Sequence, residues 1–560
     1  VLALLPLLLL ALLPATEPSP RPDLLLANGV VYTAADAKPR KASIVAGGGR
    51  ILFVGDATKA RKLAGEARAV DLGGAFVYAG WADAHLHLSG LGKSLEVADL
   101  RGSADAAAAA GAMAAAATPL PAGAWVEGRG WDQNRWPGKE FPDARALDRA
   151  LPGRPAVARR VDGHAVWVNT AALTAAGIGP DTKDPEGGRI LRRSDGTPSG
   201  VLVDNAMDLL DAAMPAATDA DIERWLLGGA RACARAGLTE VQDASGYGPA
   251  TLAVLQRLAA SGRLPIRVYA TVSPEPAELS ASFAKGTRIG GGSDFLTIRA
   301  IKAVADGALG SRGAALLADY SDEPGKRGLL VTSEARLAEI ATGARRNGWQ
   351  LWVHAIGDRG NRIALDAFEA AAEAVPDPPA GGLRPRIEHA QILALEEFPR
   401  FASLGVIASI QPTHATSDMP WAEARVGPSR IAGAYAWRRL ANASARLAGG
   451  SDAPVESENP LLGFYSAVTR QDLEGKPPGG WRPGERLSPV EALALFTSDA
   501  AYAAFEESWR GRIAPGYAAD LTILGRDPLA VPAADIPKIP VRMTIVGGRF
   551  AHGAPEASAP

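Results

Sequence analysis

An α/β chain dominated by a closed (β/α)8 TIM barrel is what this sequence predicts, with a small β-sandwich domain formed from both chain ends and an inserted subdomain after the first barrel strand. Three observations carry that expectation. Between residues 76 and 455 the chain offers about eight short apolar runs of strand character. Most are separated by helix-like stretches such as DIERWLLGGARACARAG (221–237) and LAEIATGARRNG (337–348), the alternation that builds a parallel sheet. Six side chains of distinctive chemistry, His85, His87, Lys302, His354, His389 and Asp452, each stand at the end of such a run. Residues so far apart meet only where a fold gathers strand ends, as a parallel barrel does at its C-terminal mouth.

Composition narrows the classes further. The 560 residues are 47% hydrophobic and 21% charged, an ordinary globular balance that speaks against disorder and against a membrane bundle. Lys and Arg number 59 against 61 Asp and Glu, a net charge of -2 with no basic stripe, so nucleic acid is not an expected partner. Cys233 is the only cysteine, which excludes an internal disulfide and any thiolate cluster. A metal must therefore rest on nitrogen and oxygen.

Taken in order, residues 1–22 read as a secretory signal peptide and linker, an apolar run followed by small residues and a Pro-rich stretch. The run is too short for a bilayer core of about 30 Å, which predicts a periplasmic or secreted protein with no membrane attachment once the leader is removed. Residues 23–75 alternate β-formers with Asn-Gly and Gly-rich turns and form the first part of the β-sandwich domain. The barrel covers 76–480, with strands expected at 76–88, 238–245, 266–273, 296–307, 349–358, 384–391, 405–414 and 446–455. Residues 92–220 are too many for one crossover, contain Ala-rich helical sequence and four tryptophans, and read as an inserted subdomain that roofs the site. Residues 481–554 supply a last barrel helix and the second part of the β-sandwich domain.

The six residues suit metal chemistry to different degrees. His85 and His87 are two apart on a strand, so both imidazoles point to one face. His354 in LWVHAIGD and His389 in RIEHAQ are lone histidines, for which a hydrogen-bonded core position is the ordinary alternative. Asp452 in GGSDAP is costly at the tip of a buried strand unless paired or coordinated, although it also suits a helix N-cap. Lys302 in IRAIKAVADG is either a surface lysine or an amine whose depressed pKa lets it add carbon dioxide and bridge metals as a carbamate.

These motifs, together with AGWADAHLHLSGLG, VDGHAVWVNTAAL (161–173), IKAVADGALGSRGAAL (301–316), HAIGDRG, IEHAQ and GGSDAPVE, resemble the amidohydrolase superfamily and within it the YtcJ-like branch, amidohydrolase family 3. The resemblance implies a binuclear site. His85, His87 and Asp452 hold one divalent ion, His354 and His389 the other, and carbamylated Lys302 lies between them. Zinc is the implied metal, and nickel, iron or manganese are compatible with the same ligand types. It also places His164 and His414 near the pocket as oxyanion or carboxylate partners, with structural duty an equal alternative. Asp306 and Asp358 are candidates for orienting the ligands, and Arg312, Trp421, Arg425 and Arg430 for touching substrate, surface solvation being the default for the arginines.

The expected reaction is hydrolysis of a non-peptide C–N bond in an amide, formamide or cyclic amide by a metal-activated hydroxide, with Asp452 moving the proton. The partner is a small-molecule substrate, and a homo-oligomer is compatible with the sequence. Two alternatives stand beside it: a deaminase of the same superfamily, for which a bridging lysine is superfluous, and a non-catalytic regulatory or binding protein, which needs no activated water.

Overall fold

The structure, a computed structural model, describes residues 20–34, 36–290, 293–379 and 382–554. Apart from residues 20–22, the expected signal peptide and linker lie outside the described residues. Among these residues no helix is long and apolar enough to cross a membrane.

Eight parallel strands form the barrel: β1 (Trp81–Leu86), β2 (Leu238–Tyr247), β3 (Arg267–Val272), β4 (Leu296–Val304), β5 (Gln350–Ala355), β6 (Arg386–His389), β7 (Ile407–Ile410) and β8 (Arg446–Gly449). They are hydrogen-bonded in chain order, from β1 at one end of the sheet to β8 at the other. Strands covered on both faces read as near-continuous apolar runs, and β1, β3 and β5 are buried at every position. Register lines up the chemistry, with Val304 opposite His354, His354 opposite Glu388, and Ala355 opposite His389. The outer helices follow from capping and periodicity. In Asp219–Arg235, Thr218 and Asp221 close a capping box, and Ile222, Leu226, Ala230 and Cys233 recur on the buried face.

The two ends of this sheet meet through individual hydrogen bonds instead of a ladder. Asp452 N donates to His85 O at 2.6 Å and His87 N to Ala453 O at 2.8 Å. The Asp83 carboxylate adds a side-chain link, accepting from Ser451 N at 3.1 Å and from His85 N at 3.0 Å. Gly450 makes this approach feasible: a Cβ there would lie 2.5 Å from His85 N.

The barrel interior departs from the usual packing of branched apolar layers. At the end away from the predicted ligands, Arg267 Nε donates to Asp520 Oδ2 at 2.7 Å, and Arg510 Nε reaches the same oxygen at 3.1 Å. Arg510 also pairs with Glu240. Gln242 Nε2 then donates to Glu240 Oε1 at 3.3 Å, and Arg386 Nη1 to Gln242 Oε1 at 2.5 Å. Arg386 finally forks onto Glu388. All seven side chains are buried.

Two expected details change. The run 76–88 is two strands: Phe76–Ala79 pairs antiparallel with Leu521–Leu524, and only Trp81–Leu86 enters the barrel. The break falls at Gly80, where a Cβ would lie 2.3 Å from Thr239 Oγ1, so β2 leaves room for no side chain. Asn28-Gly29, which reads as a turn, is a bulge inside the strand Leu24–Val31, with Asn28 at φ 57. The turn itself is Gly48-Gly49, at φ 58 and 77, between Arg40–Gly47 and Arg50–Gly55.

Strands from both chain ends form one eight-stranded sheet in their hydrogen bonding, not the two sheets of the expected sandwich. The cause is that Leu24–Val31 pairs along one side with Arg68–Asp71 at its start and with Phe76–Val77 at its finish, so the layers stay continuous. Between β1 and β2 the chain forms a separate six-stranded sheet from Ala98 to Asp204, packed on Trp131, Trp136 and Trp167.

Gly450→Ala should push β8 away from β1. We expect a loss of about 1–3 kcal/mol in denaturant unfolding, against little change for Gly484→Ala, whose added Cβ meets open space.

Candidate metal centre

The bonds that join β1 to β8 also set the site's first distances. Asp452 Oδ1 lies 3.1 Å from His87 Nε2 and 3.5 Å from His85 Nε2, while Oδ2 lies 3.6 Å from His414 Nε2. Asp452 adopts φ 59 and His389 φ 74, conformations uncommon for residues with a Cβ. For His389 the turn has a visible consequence. Strand alternation sends Arg386 and Glu388 into the barrel, and the positive φ brings the out-of-phase His389 in beside them. Its ring centroid sits 4.9 Å from that of His85, 4.5 Å from His354, and 5.8 Å from His414, to which it is nearly parallel.

Two sets of donor atoms fall within 4.8 Å of one another, His85 with His87 and Asp452, and His389 with His414 and Asp452. His85 Nε2, His354 Nε2, His414 Nε2 and Asp452 Oδ1 are all buried without a hydrogen-bond partner. Leaving such atoms unpaired is costly, and native proteins rarely do so. Ring nitrogens facing carboxylate oxygens at 3.1–3.6 Å match neighbouring ligands around one tetrahedral ion, which bond lengths of about 2.0–2.2 Å set roughly 3.4 Å apart. The residues present therefore fit a divalent cation.

Protonation agrees. Burial pulls the imidazoles of His87, His354 and His389 below their ordinary value. Burial works to raise the Asp452 carboxyl, but His85 and His87 outweigh it and hold the group well below the usual carboxylate range. Neutral imidazoles and an ionised carboxylate are the forms that bind metal. Lys302 is buried on β4 at 6% exposure, and burial lowers its ammonium below the usual lysine value.

The ring nitrogens turned away from the centre find other partners. His85 Nδ1 bonds Glu388 Oε2, His389 Nδ1 meets Gln411 Oε1 at 2.7 Å, and His87 Nδ1 lies 3.4 Å from Ser245 Oγ. Sequence reasoning passed over Glu388, Gln411 and Ser245. A signal existed for the first, since Arg386 and Glu388 alternate inside a strand that otherwise reads as buried.

An open cavity of about 190 Å³ lies over these atoms, with His354, His389, His414 and Asp452 in its floor and Asp162 and His164, from a turn of the insertion, in its wall. His164 Nδ1 is 2.7 Å from Asp204 Oδ1. Trp421 also lines the cavity, whereas Arg312, Arg425 and Arg430 do not. Those arginines grip the segment 318–323: Arg312 and Arg425 pair with Asp322, and Arg430 donates to Ala318 O at 2.9 Å. Arg425 is buried, contrary to the surface default, because it bridges Asp322 to Asn134 of the insertion.

Asp306 and Asp358 do not orient ligands. Asp306 accepts from Ala315 N, Ile356 N and Gly357 N at 2.8–2.9 Å and is 3.8 Å from His354 Nε2. Asp358 accepts from Leu317 N at 2.8 Å. Both carboxylates are spent on backbone amides that tie the loop after β4 to the end of β5.

A family model described as the amidohydrolase family, Amidohydro_3, matches residues 68–552. The putative amidohydrolase YtcJ of Bacillus subtilis (strain 168) is 33% identical over 531 residues, 94% of this chain and 98% of that protein. The N-substituted formamide deformylase of Arthrobacter pascens is 28% identical over 541 residues, 94% of this chain and 97% of its own. Among solved structures, an uncharacterized metal-dependent hydrolase from Pyrococcus horikoshii OT3 superposes with a TM-score of 0.74 at 29% identity, covering 91% of this chain and 99% of that one.

In metal-free protein labelled with 15N-histidine, His354 and His389 should give neutral imidazole signals at about pH 6, where a ring of ordinary value 6.5 is mostly protonated. Protonated signals from both at that pH would contradict the buried, cation-ready centre described above.

Proposed function

Since this chain belongs to the amidohydrolase family and is thereby a metal-dependent hydrolase, we propose that it cleaves a C–N bond other than a peptide bond, in an amide, a formamide or a cyclic amide. The observation that carries this reading is the set of buried, unpartnered ring nitrogens and carboxylate oxygen at the floor of an open cavity. The relative named N-substituted formamide deformylase supports the choice of bond.

In this reading His85, His87 and Asp452 would hold one ion, His354 and His389 would hold a second, and Lys302, as a carbamate, would be a ligand they share. Bound there, divalent ions, zinc by preference for this donor set, supply Lewis acidity that polarises a carbonyl and brings the pKa of water toward neutrality. The chain's own groups do the rest. Asp452, held ionised, accepts a proton from the attacking water and returns it to the leaving nitrogen, acting first as base and then as acid. His164, held through Nδ1 by Asp204, presents its other ring nitrogen as a partner for the substrate's carbonyl or carboxylate oxygen. His414 offers its unpartnered Nε2 from the opposite element, the helix Pro412–Asp418. Side chains of the insertion, Asp132, Arg160 and His164 among them, line the cavity and shape what reaches the reacting atoms.

The test is a panel of N-formyl and N-acyl compounds and cyclic amides with metal-replete protein, repeated after chelation and with Asp452→Asn. Turnover of at least one class, its loss on chelation, and a fall of about 10²–10⁴-fold in Asp452→Asn at retained metal content are expected. Undiminished turnover in that variant would remove Asp452 from the proton path, and a panel without any hydrolysis would remove the bond assignment.

A further inference from the structure

Beneath the cavity, the seven buried polar side chains of the barrel interior end in a pair that touches the metal centre directly. Arg386 and Glu388 are both 0% exposed. The guanidinium donates from Nε to Glu388 Oε1 at 2.8 Å and from Nη2 to Oε2 at 3.0 Å. Its terminal nitrogens have further partners: Nη2 reaches Ala84 O at 2.5 Å and Ser409 Oγ at 2.9 Å, and Nη1 reaches Gln242 Oε1. The guanidinium carbon lies 3.7 Å from the centroid of the Trp352 ring. Arg386 is thus fixed by four strands and cannot swing, and Glu388 inherits that rigidity through two parallel bonds.

Glu388 Oε2 in turn meets His85 Nδ1. A carboxylate oxygen can only accept in this contact, so Nδ1 carries the hydrogen. In the neutral ring that a cation requires, the lone pair is then left on Nε2, the atom that faces Asp452 Oδ1 at 3.5 Å and has no other partner. His389 and His87 have neutral partners on their Nδ1 atoms, Gln411 and Ser245, whereas the Nδ1 of His85 is held by an ionised group.

We infer that Arg386 and Glu388 are positioning residues: together they fix the tautomer and the orientation of His85, and so determine how tightly the first ion is held. A buried ion pair gains a fold little or nothing in stability, and an apolar pair of similar volume fills space as well or better. A filler would not need to sit against a ligand. A carboxylate or amide behind a metal-bound imidazole typically governs affinity by about 10–100-fold. The inference rests on His85 being a ligand, as proposed above.

The test titrates metal-free protein with Co2+ and follows both the binding isotherm and the visible absorption of the ion. Replacing either partner alone strands a buried charge, so the variants are doubles. Arg386→Met/Glu388→Met removes both charges and the acceptor, and the first Co2+ should bind about 10–100-fold more weakly with an altered d–d spectrum, at unchanged far-UV circular dichroism. Arg386→Met/Glu388→Gln restores an acceptor oxygen and should recover part of that affinity. It also carries the test if the first double fails to fold, and must then still bind more weakly than the wild type. A folded double variant that matches the wild type in affinity and spectrum overturns the inference and leaves the functional reading standing. Wild-type protein that takes up no Co2+ overturns both.

Discussion

The barrel is closed at the metal centre itself. Its first and last strands do not share a ladder; they are joined where Asp452 N meets His85 O and His87 N meets Ala453 O. Three of the proposed ligands therefore lie on the backbone atoms that complete the cylinder, and the short distances among their side chains follow from the closure. Gly450 lets the two backbones approach, and Asp83 satisfies amide groups that the missing ladder would have paired. The bonds that close the barrel are also the bonds that assemble this half of the site. The positive φ of Asp452, an expense in an ordinary loop, is held in place by the same bonds.

The rest of the site is hung from that junction by loops whose own geometry is fixed by carboxylates. Asp306 gathers three backbone amides from the segment after β4 and the end of β5, which ties that segment to the residues that follow His354. Asp204 of the insertion packs where Gly307 and Gly313 leave room, a Cβ at either position falling 2.4 or 2.6 Å from its carboxylate, and it presents His164 from above. Arg425 bridges the same region to Asn134. The roof is in this way keyed to the loop beneath it by buried polar contacts.

Much of this was legible in the sequence, for identifiable reasons. Strands covered on both faces leave apolar runs, and side chains that bind cations stand out at the ends of those runs, so the order of barrel strands and the residues at their tips could be read directly. What could not be read depends on backbone geometry or on long-range pairing. The division of 76–88 turns on Thr239 crowding Gly80, and the Asn28 bulge on which strands flank it. His389 enters by a dihedral angle that no alternation rule supplies. Asp306 and Asp358 have the right phase to orient ligands and are instead consumed by amides. Glu388 and Arg386 could have been noticed as polar residues two apart in a buried strand, but their partners Gln242, Ala84 and His85 are distant in sequence.

The polar file along the barrel axis changes what counts as the minimal unit of this chemistry. From Asp520 beside the sheet formed by the chain ends, charged side chains and the single amide of Gln242 run through Arg510, Glu240, Gln242 and Arg386 to Glu388. Grafting the six strand-tip residues onto a cylinder lined with valine and isoleucine would reproduce the visible constellation and omit its scaffolding. An engineer moving the centre to a new host would have to carry the buried polar spine of the cylinder and the distal anchor at its base along with it.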